Sequence, residues 1–407
     1  MYTLSVKNTP EGTWADAPEG RPPFGDGHMQ NRSDRLRLVA ACCGLMFAYG
    51  CFLGASQTVI ESVAGDLGLD IAGMGALVSL QFLPAAFVPV WMGALADRVG
   101  RKPVISAFCA LFGVGLLLCG SARTPLAYAI GAILVGSGYS VCESGCCAVM
   151  SDLGPDWETR GINLSQAILC LGAVLSPALI SAFGIRWRAA FYLCAGGYAV
   201  MLPILLLCRF PAPLPAATRE RGGARRLLTS GAFLCLFAGI LLYVGLETGF
   251  GYFIESLISG RFAETPVSCV SLYWLGMTLS RFVFSSIRYP AKPVLIAGFG
   301  LIAALFAALI LPAPLALALA LCFATGFAYG PIWSTLVAEA NARFPEHAGT
   351  ASGLMSAGCG AGGILFPALI GLVARRFSLI SAFALLGGVA LAGAALCAAL
   401  PKRQRTN

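Results

Sequence analysis

Glu143 is the one charged side chain in the run GSGYSVCESGCC, residues 136–147, inside a stretch that is otherwise apolar or small. At mid-depth in a bilayer a charge costs roughly 2.5–3.5 kcal/mol or more, so an acid in such a stretch is a functional candidate. A carboxyl group there can carry a proton. Tyr139 lies one helical turn earlier on the same face. In the next apolar stretch Asn163, Gln166 and Cys170 share a face by their i, i+3, i+7 spacing. An acid beside amides and an aromatic ring suits a hydroxylated or amine-bearing solute; simple packing of a protonated Glu143 is the alternative.

A second acid, Glu247, stands in YVGLETGFGYF, one turn after Tyr243, with Gly245, Gly249 and Gly251 placed to let that helix bend. Substrate binding or gating is one reading of it and an interhelical hydrogen bond the other. Glu61 and Glu255 fall in two copies of IES near the ends of their stretches and are expected to snorkel to the interface. Gln57 is one turn before Glu61. Trp274, Thr278 and Arg281 lie on one face of a later stretch, and Tyr329 and Trp333 on another. These aromatics suit stacking on a sugar ring or an apolar drug, or packing.

The elements that must hold these residues follow from composition. Of 407 residues 58% are hydrophobic and 11% charged, against about 25% charged in soluble domains. So little charge cannot cover a water-facing surface, and lipid is the alternative solvent. The apolar stretches run about 20 residues without period-2 alternation, which predicts helices and not a barrel. The 49 glycines suit close helix packing. Most of the 16 cysteines sit inside apolar stretches as small hydrophobes, so no disulfide framework is expected. The only histidines are His28 and His347, no zinc-like spacing occurs, and neither metal nor cofactor is expected.

Twelve spans are expected, near 38–63, 72–96, 103–121, 125–151, 161–183, 188–208, 228–256, 267–287, 292–311, 314–338, 348–373 and 378–400. Residues 1–34 read as a polar tail, 35–209 and 227–401 as two six-helix bundles, 210–226 as a basic linker and 402–407 as a second tail. Met29 stands directly before the first basic-then-apolar run and is a candidate translation start. Arg123, Arg186, Arg188, Arg261, Arg375 and Arg376 are the six of 27 Lys and Arg that fall in outer segments when both termini are cytoplasmic. That bias sets the orientation and explains the net charge of +8 without nucleic acid.

The halves are related. Tyr139 and Tyr329, Pro155 and Pro345, Gly172 and Gly362, PALI at 177–180 and 367–370, and KPV at 102–104 and 292–294 share one offset of 190 positions. Glu143 then pairs with Trp333. Two parallel six-helix repeats predict a transporter that rocks one half against the other around a mid-membrane site. No GxxxxGK[ST] sequence is present for ATP-driven transport. A membrane enzyme would need paired acids or a metal site at one membrane face with a sizeable polar domain, and neither is present. A transporter-derived receptor without flux is the third class.

Between the second and third spans stands GALADRVGRKP, residues 93–103. Gly93 is expected to allow close approach, Gly100 a tight turn, Asp97 to accept free N–H groups of a helix start, and Arg98 and Arg101 to pair with Asp152 or Glu158. GxLADRxGRK in that place resembles the loop signature of the major facilitator superfamily. The resemblance implies an all-α membrane protein of twelve transmembrane helices in two pseudo-symmetric bundles, and a conformational latch formed by Gly93, Asp97, Arg98, Gly100, Arg101 and Asp152. The matching segment of the second half, Arg281 to Lys292, keeps basic residues but lacks the Asp and the glycines.

A narrower resemblance covers about a third of the chain. GSGYSVCESGCCAVMSDLGP, RGINLSQAILCLGAVLSP, YVGLE and YWLGMTLSRF are similar to fucose–proton symporter-like sugar transporters. It implies Glu143 as the proton-coupling acid and Asn163 and Gln166 as polar site positions. Gln57 stands where that branch has a sugar-contacting Asp, which makes coupling through a single acid the expectation and leaves the sugar open. The expected substrate-binding set is Gln57, Tyr139, Asn163, Gln166, Tyr243, Glu247, Trp274, Tyr329 and Trp333. The expected partners are a small-molecule solute, protons and membrane lipid, for a monomeric multi-pass protein of a plasma membrane, the bacterial inner membrane being assumed. Proton-driven efflux of a drug or metabolite is the alternative to sugar uptake.

Overall fold

A computed structural model describes residues 32–153, 155–211, 223–262, 265–287, 289–344 and 347–401. The Met29 start, both tails up to 31 and from 402, and most of the linker lie outside them. The helices are α1 (Arg32–Asp66), α2 (Ile71–Phe82), α3 (Val88–Val99), α4 (Arg101–Ser121), α5 (Pro125–Asp152), α6 (Pro155–Phe183), α7 (Trp187–Leu207), α8 (Gly223–Leu228), α9 (Gly231–Ser259), α10 (Cys269–Ser286), α11 (Ala291–Ile310), α12 (Leu315–Tyr329), α13 (Ile332–Arg343), α14 (Ala348–Arg376) and α15 (Leu379–Ala399). Among the described residues there is no strand. Eleven helical spans are long and apolar enough to cross a membrane, with α2–α3 and α12–α13 each making one span. The twelfth, α10, has a shorter apolar run, Cys269–Phe284.

Local chemistry sets the helix ends. Asp70, Thr124, Ser230, Ser268 and Ser378 accept a backbone N–H of the first turn of α2, α5, α9, α10 and α15. Pro84 has no N–H, and the second span passes through a 3-10 turn, Pro84–Ala86, before resuming as α3. Gly330 and Pro331 break the tenth span in the same way. Gly100 has φ 95°, so the expected turn between α3 and α4 needs glycine there. The 16 cysteines are free.

Helices α1–α7 form one bundle and α8–α15 the other, and the repeat is visible in the packing. Gly172 lets α6 lie against the α1 backbone at Phe47 and Cys51, and Gly362 lets α14 lie against α9 at Leu241 and Gly245. Lys102 Nζ donates to the Cys208 carbonyl at 2.9 Å, the C-cap of α7; Lys292 Nζ donates to the Leu400 carbonyl at 2.7 Å, the C-cap of α15. The recurring KPV thus ties the third helix of each bundle to its last, placing a cation at a helix C-terminus.

The bundles meet mainly through α2 with α14 and α6 with α10. With an even number of spans, the start of α1 and the end of α15 lie on one side, the terminal side. Most of the bonds that bridge the bundles lie in the half remote from the termini. Ser56 and Gln81 both bond the Tyr252 hydroxyl, at 3.1 and 3.0 Å. Ser271 Oγ donates to Val174 O, Ser256 Oγ to Glu61, and Ala368 N–H to Ser79 Oγ. Arg375 stands 3.5 Å from Asp70. On the terminal side α3 packs on α4 and α5, and α13 on α9, α11 and α14, each within its own bundle. Trp91 of α3, and Phe87 just before it, are exposed. Among the described residues the bundles are bonded together at the remote end, and neither α3 nor α13 packs on the other bundle at the terminal side.

Candidate functional site

Three charged side chains, drawn from both bundles, stand within electrostatic reach of one another. Glu143 of α5 accepts a hydrogen bond from Gln166 Nε2 of α6 at 3.2 Å. Glu247 of α9 accepts one from the Tyr243 hydroxyl, a turn earlier, also at 3.2 Å. Arg281 of α10 reaches across to α6, where its Nη1 donates to Cys170 Sγ at 2.9 Å. The guanidinium is within electrostatic reach of both carboxyls, and these of each other. All three charged residues are half-buried. Of the three, Arg281 is bonded across the boundary between the bundles, and the two acids are bonded within their own bundles.

The expected helical faces position part of this cluster. Gln166 and Cys170 sit on one face of α6, one bonded to Glu143 and the other to Arg281, as their spacing requires. Asn163, earlier on the same face, is exposed and outside the bonded group. Trp333 of α13 is half-buried beside Cys359 of α14, whose surroundings include both acids.

The other aromatics do not face open space. Tyr139 is buried and stacks on Tyr49 with ring centroids 4.9 Å apart. Tyr329 is buried edge-on to Tyr243 and Tyr273, at 5.5 and 5.7 Å. Trp274 is buried with its indole N–H on Gln57 Oε1, 2.7 Å away. Gln57 and Trp274 therefore form a bond between bundles on the closed side. Of the two expected roles, lining a cavity or packing, Trp274 and Tyr329 show packing, since each has an aromatic or amide partner.

Several finer expectations change. Helix α9 runs unbroken, and Gly245, Gly249 and Gly251 admit Phe366, Ile370 and Gln57 rather than a bend. Gly93 has nothing within 4 Å of where a Cβ would stand, so it makes no close approach. The expected pairing of Arg101 with Asp152 is present, Nε to Oδ2 at 2.8 Å, and ties α4 to α5 inside one bundle. In this conformation that pair does not join the two halves. Arg98 is exposed; Asp97 lies in α3, its side chain and that of Glu158 outside the described set. Glu61 is exposed, whereas Glu255 accepts from Ser268 Oγ and the Val270 N–H and so anchors the start of α10.

Arg281 is the residue that sequence places least well. There it counts with the basic residues of the following segment, as the counterpart of the 93–103 loop. Its spacing from Trp274 and Thr278 on one face is the available signal that it points inward.

A family model described as Major Facilitator Superfamily matches residues 38–265 and 258–407. The multidrug resistance protein MdtL of Klebsiella pneumoniae (strain 342) is 27% identical over 199 residues, 47% of this chain and 51% of that protein. MdtL of Escherichia fergusonii is 27% identical over 203 residues, 49% of this chain and 52% of its own length. The chain thus spans about half the length of the curated relatives it matches. The crystal structure of a point mutant of the nucleoside transporter NupG superposes with TM-score 0.78 at 18% identity, covering 90% of this chain and 100% of that one. A bacterial homolog of the human lysosomal transporter Spinster, in an inward-facing and occupied conformation, gives 0.70 at 16%, covering 90% and 95%. At these identities the two structures speak for the fold.

Proposed function

The chain belongs to the Major Facilitator Superfamily, and from that we propose that it is a secondary active transporter, not an enzyme, working by alternating access. Residues 35–209 and 227–401 are the two moving bodies and 210–226 their tether. The solute enters between the bundles from the terminal side, which is the cytoplasmic side by the bias of basic residues. Closing that side and opening the other exposes the same site across the membrane. The latch residues of the 93–103 loop, with Asp152, close the terminal side in the alternate state.

The observation that carries this reading is the placement of Glu143, Glu247 and Arg281. Buried charge is costly in a membrane core and is retained where it serves a path. Here it is drawn from two bundles bonded together at one end. Glu143 carries the coupling proton, and its protonation changes which conformation is favoured. Asn163, Gln166, Glu247 and Trp333 surround the solute, with Tyr139, Tyr243 and Tyr329 packed behind them. Gln57 and Trp274 join them when the far side opens and their bond breaks.

A sugar-like, hydroxylated solute is favoured by the resemblance of spans 4, 5, 7 and 8 and by the amide and tyrosine groups around Glu143. The name of the matching relatives favours a second reading, efflux of a drug or metabolite. The protein acts as a monomer in a plasma membrane. A solute screen on reconstituted vesicles, with and without an imposed pH gradient, tests the reading. Gradient-dependent accumulation of one solute class supports it; a full panel with no flux in either direction ends it.

A further inference from the structure

Arg281 lies between two acids and is bonded to neither. Its Nη1 donates to the Cys170 sulfur, and the guanidinium also hydrogen-bonds the Tyr243 hydroxyl. Among the described residues no carboxylate oxygen stands within 4.0 Å of it. A thiol is a weak acceptor. The guanidinium therefore sits in a membrane-spanning helix with its capacity for paired, charge-assisted hydrogen bonds largely unused. Tyr273 and Tyr329, in the same aromatic group, are fully buried with hydroxyls that have no hydrogen-bond partner. Leaving such groups unpaired costs free energy. A half-buried cation with open donors, near the idle Tyr273 hydroxyl and with that of Tyr329 behind it, is a donor set without its acceptor.

We propose that Arg281 docks an anionic group of the solute, a carboxylate or a phosphate, which takes the place of the Cys170 contact. This rests on the transport reading of the same site and narrows its solute to a small organic or inorganic anion. A hydroxylated acid fits the whole site: its charge on Arg281, its hydroxyls toward Gln166 and the tyrosines. The titratable groups facing the guanidinium are Cys170 from α6, Glu143 from α5, Tyr243 and Glu247 from α9, and Tyr273 on its own helix. Thiols and phenols ordinarily titrate above neutral pH, so the two carboxyls set the pH dependence. Ionised, they repel an incoming anion; protonated, they do not. Anion binding therefore strengthens as the pH falls, and each anion bound favours a bound proton.

The test uses the full chain in lipid nanodiscs and calorimetric titration with matched probes: glucuronate against glucose, benzoate against benzyl alcohol, and inorganic phosphate. At least one anion is expected to bind wild type about tenfold or more tighter than its neutral twin. Its affinity rises from mildly alkaline to mildly acidic buffer, Arg281→Gln abolishes the difference, and Arg281→Lys keeps part of it. Phosphate binding without carboxylate binding assigns the site to phosphate, and the converse to carboxylates. Equal binding of the neutral twins overturns the proposal. So does an anion preference that survives in Arg281→Gln, or a wild type that binds no probe. If Arg281→Gln does not fold, the Lys variant and the wild-type pH series decide. Gradient-driven accumulation of a neutral twin with no anion preference overturns this inference and leaves the transporter reading intact. Anion preference without any flux does the reverse.

Discussion

The two bundles share a scaffold and differ at their centres. Each has a glycine that seats its fifth helix on its first, Gly172 and Gly362, and a lysine that closes its last helix, Lys102 and Lys292. Each has a tyrosine pair between its first and fourth helices, Tyr49 with Tyr139 and Tyr243 with Tyr329. At the polar positions the match ends. The N-terminal bundle puts Glu143 where the C-terminal bundle has Trp333. The C-terminal bundle supplies Glu247 on its first helix and Arg281 on its second. What the repeats kept is packing, which tolerates little change. What they did not keep is charge, and a cluster assembled from two unlike walls can change when the walls move apart.

The sharpest way to break this comparison is at the acids. Glu143→Gln keeps the side-chain shape and the Gln166 neighbour but removes the titrating group. Proton-driven accumulation in vesicles is expected to disappear, while exchange of solute across the membrane survives. Glu247→Gln is expected to have a smaller effect. Its carboxyl is bonded within its own helix to Tyr243, so solute affinity falls about tenfold while gradient dependence remains. Similar loss of coupling in both variants would show that the bundles share the proton site equally.

The packing half of the comparison predicts symmetry. Gly172→Ala and Gly362→Ala each force a Cβ into a neighbouring backbone. Each is expected to destabilise its own bundle by about 1–3 kcal/mol, read as matched drops in thermal unfolding temperature. Lys102→Ala and Lys292→Ala remove a cation from a helix C-terminus and should cost about 0.3–1 kcal/mol each, by the same measurement. A large effect in one member of either pair would mean that the repeats no longer share that device.

The smallest effect is expected at the closed end. The Gly73 N–H, and after it Arg375, hold the exposed Asp70 carboxyl below its usual range. A depressed carboxyl stabilises the fold above its unfolded-state value, and that contribution is lost as pH falls through its folded value. Asp70→Asn should thus match wild type in strongly acidic buffer and be slightly less stable at neutral pH. The deficit should shrink with salt, since the Arg375 pair is exposed.

How much was legible in the sequence follows the same line. Apolar length and the glycine and proline offsets gave the twelve spans, and the 190-residue repeat gave equivalent packing at Gly172 and Gly362, because lipid and backbone contact impose these locally. Glu143 with Gln166 was legible because one helical face and one short loop fix it. Arg281 was not, since its meaning comes from Cys170 and Glu247 on other helices, one of them in the other bundle. Trp274 and Tyr329 show the converse: an aromatic near a polar position reads the same whether it lines a cleft or packs on Gln57 or Tyr243. The breaks at Pro84 and Gly330–Pro331 sit inside spans that hydropathy reads as continuous.

The central claim is that the Glu143 carboxyl takes and releases the coupling proton while solute crosses between the bundles. Proton movement evoked by solute, followed with a pH dye sealed inside vesicles holding wild type or Glu143→Gln, tests it most directly. Solute-evoked pH change in wild type and none in the variant, with solute exchange still running in both, is the result expected. An equal pH change in the two would contradict it.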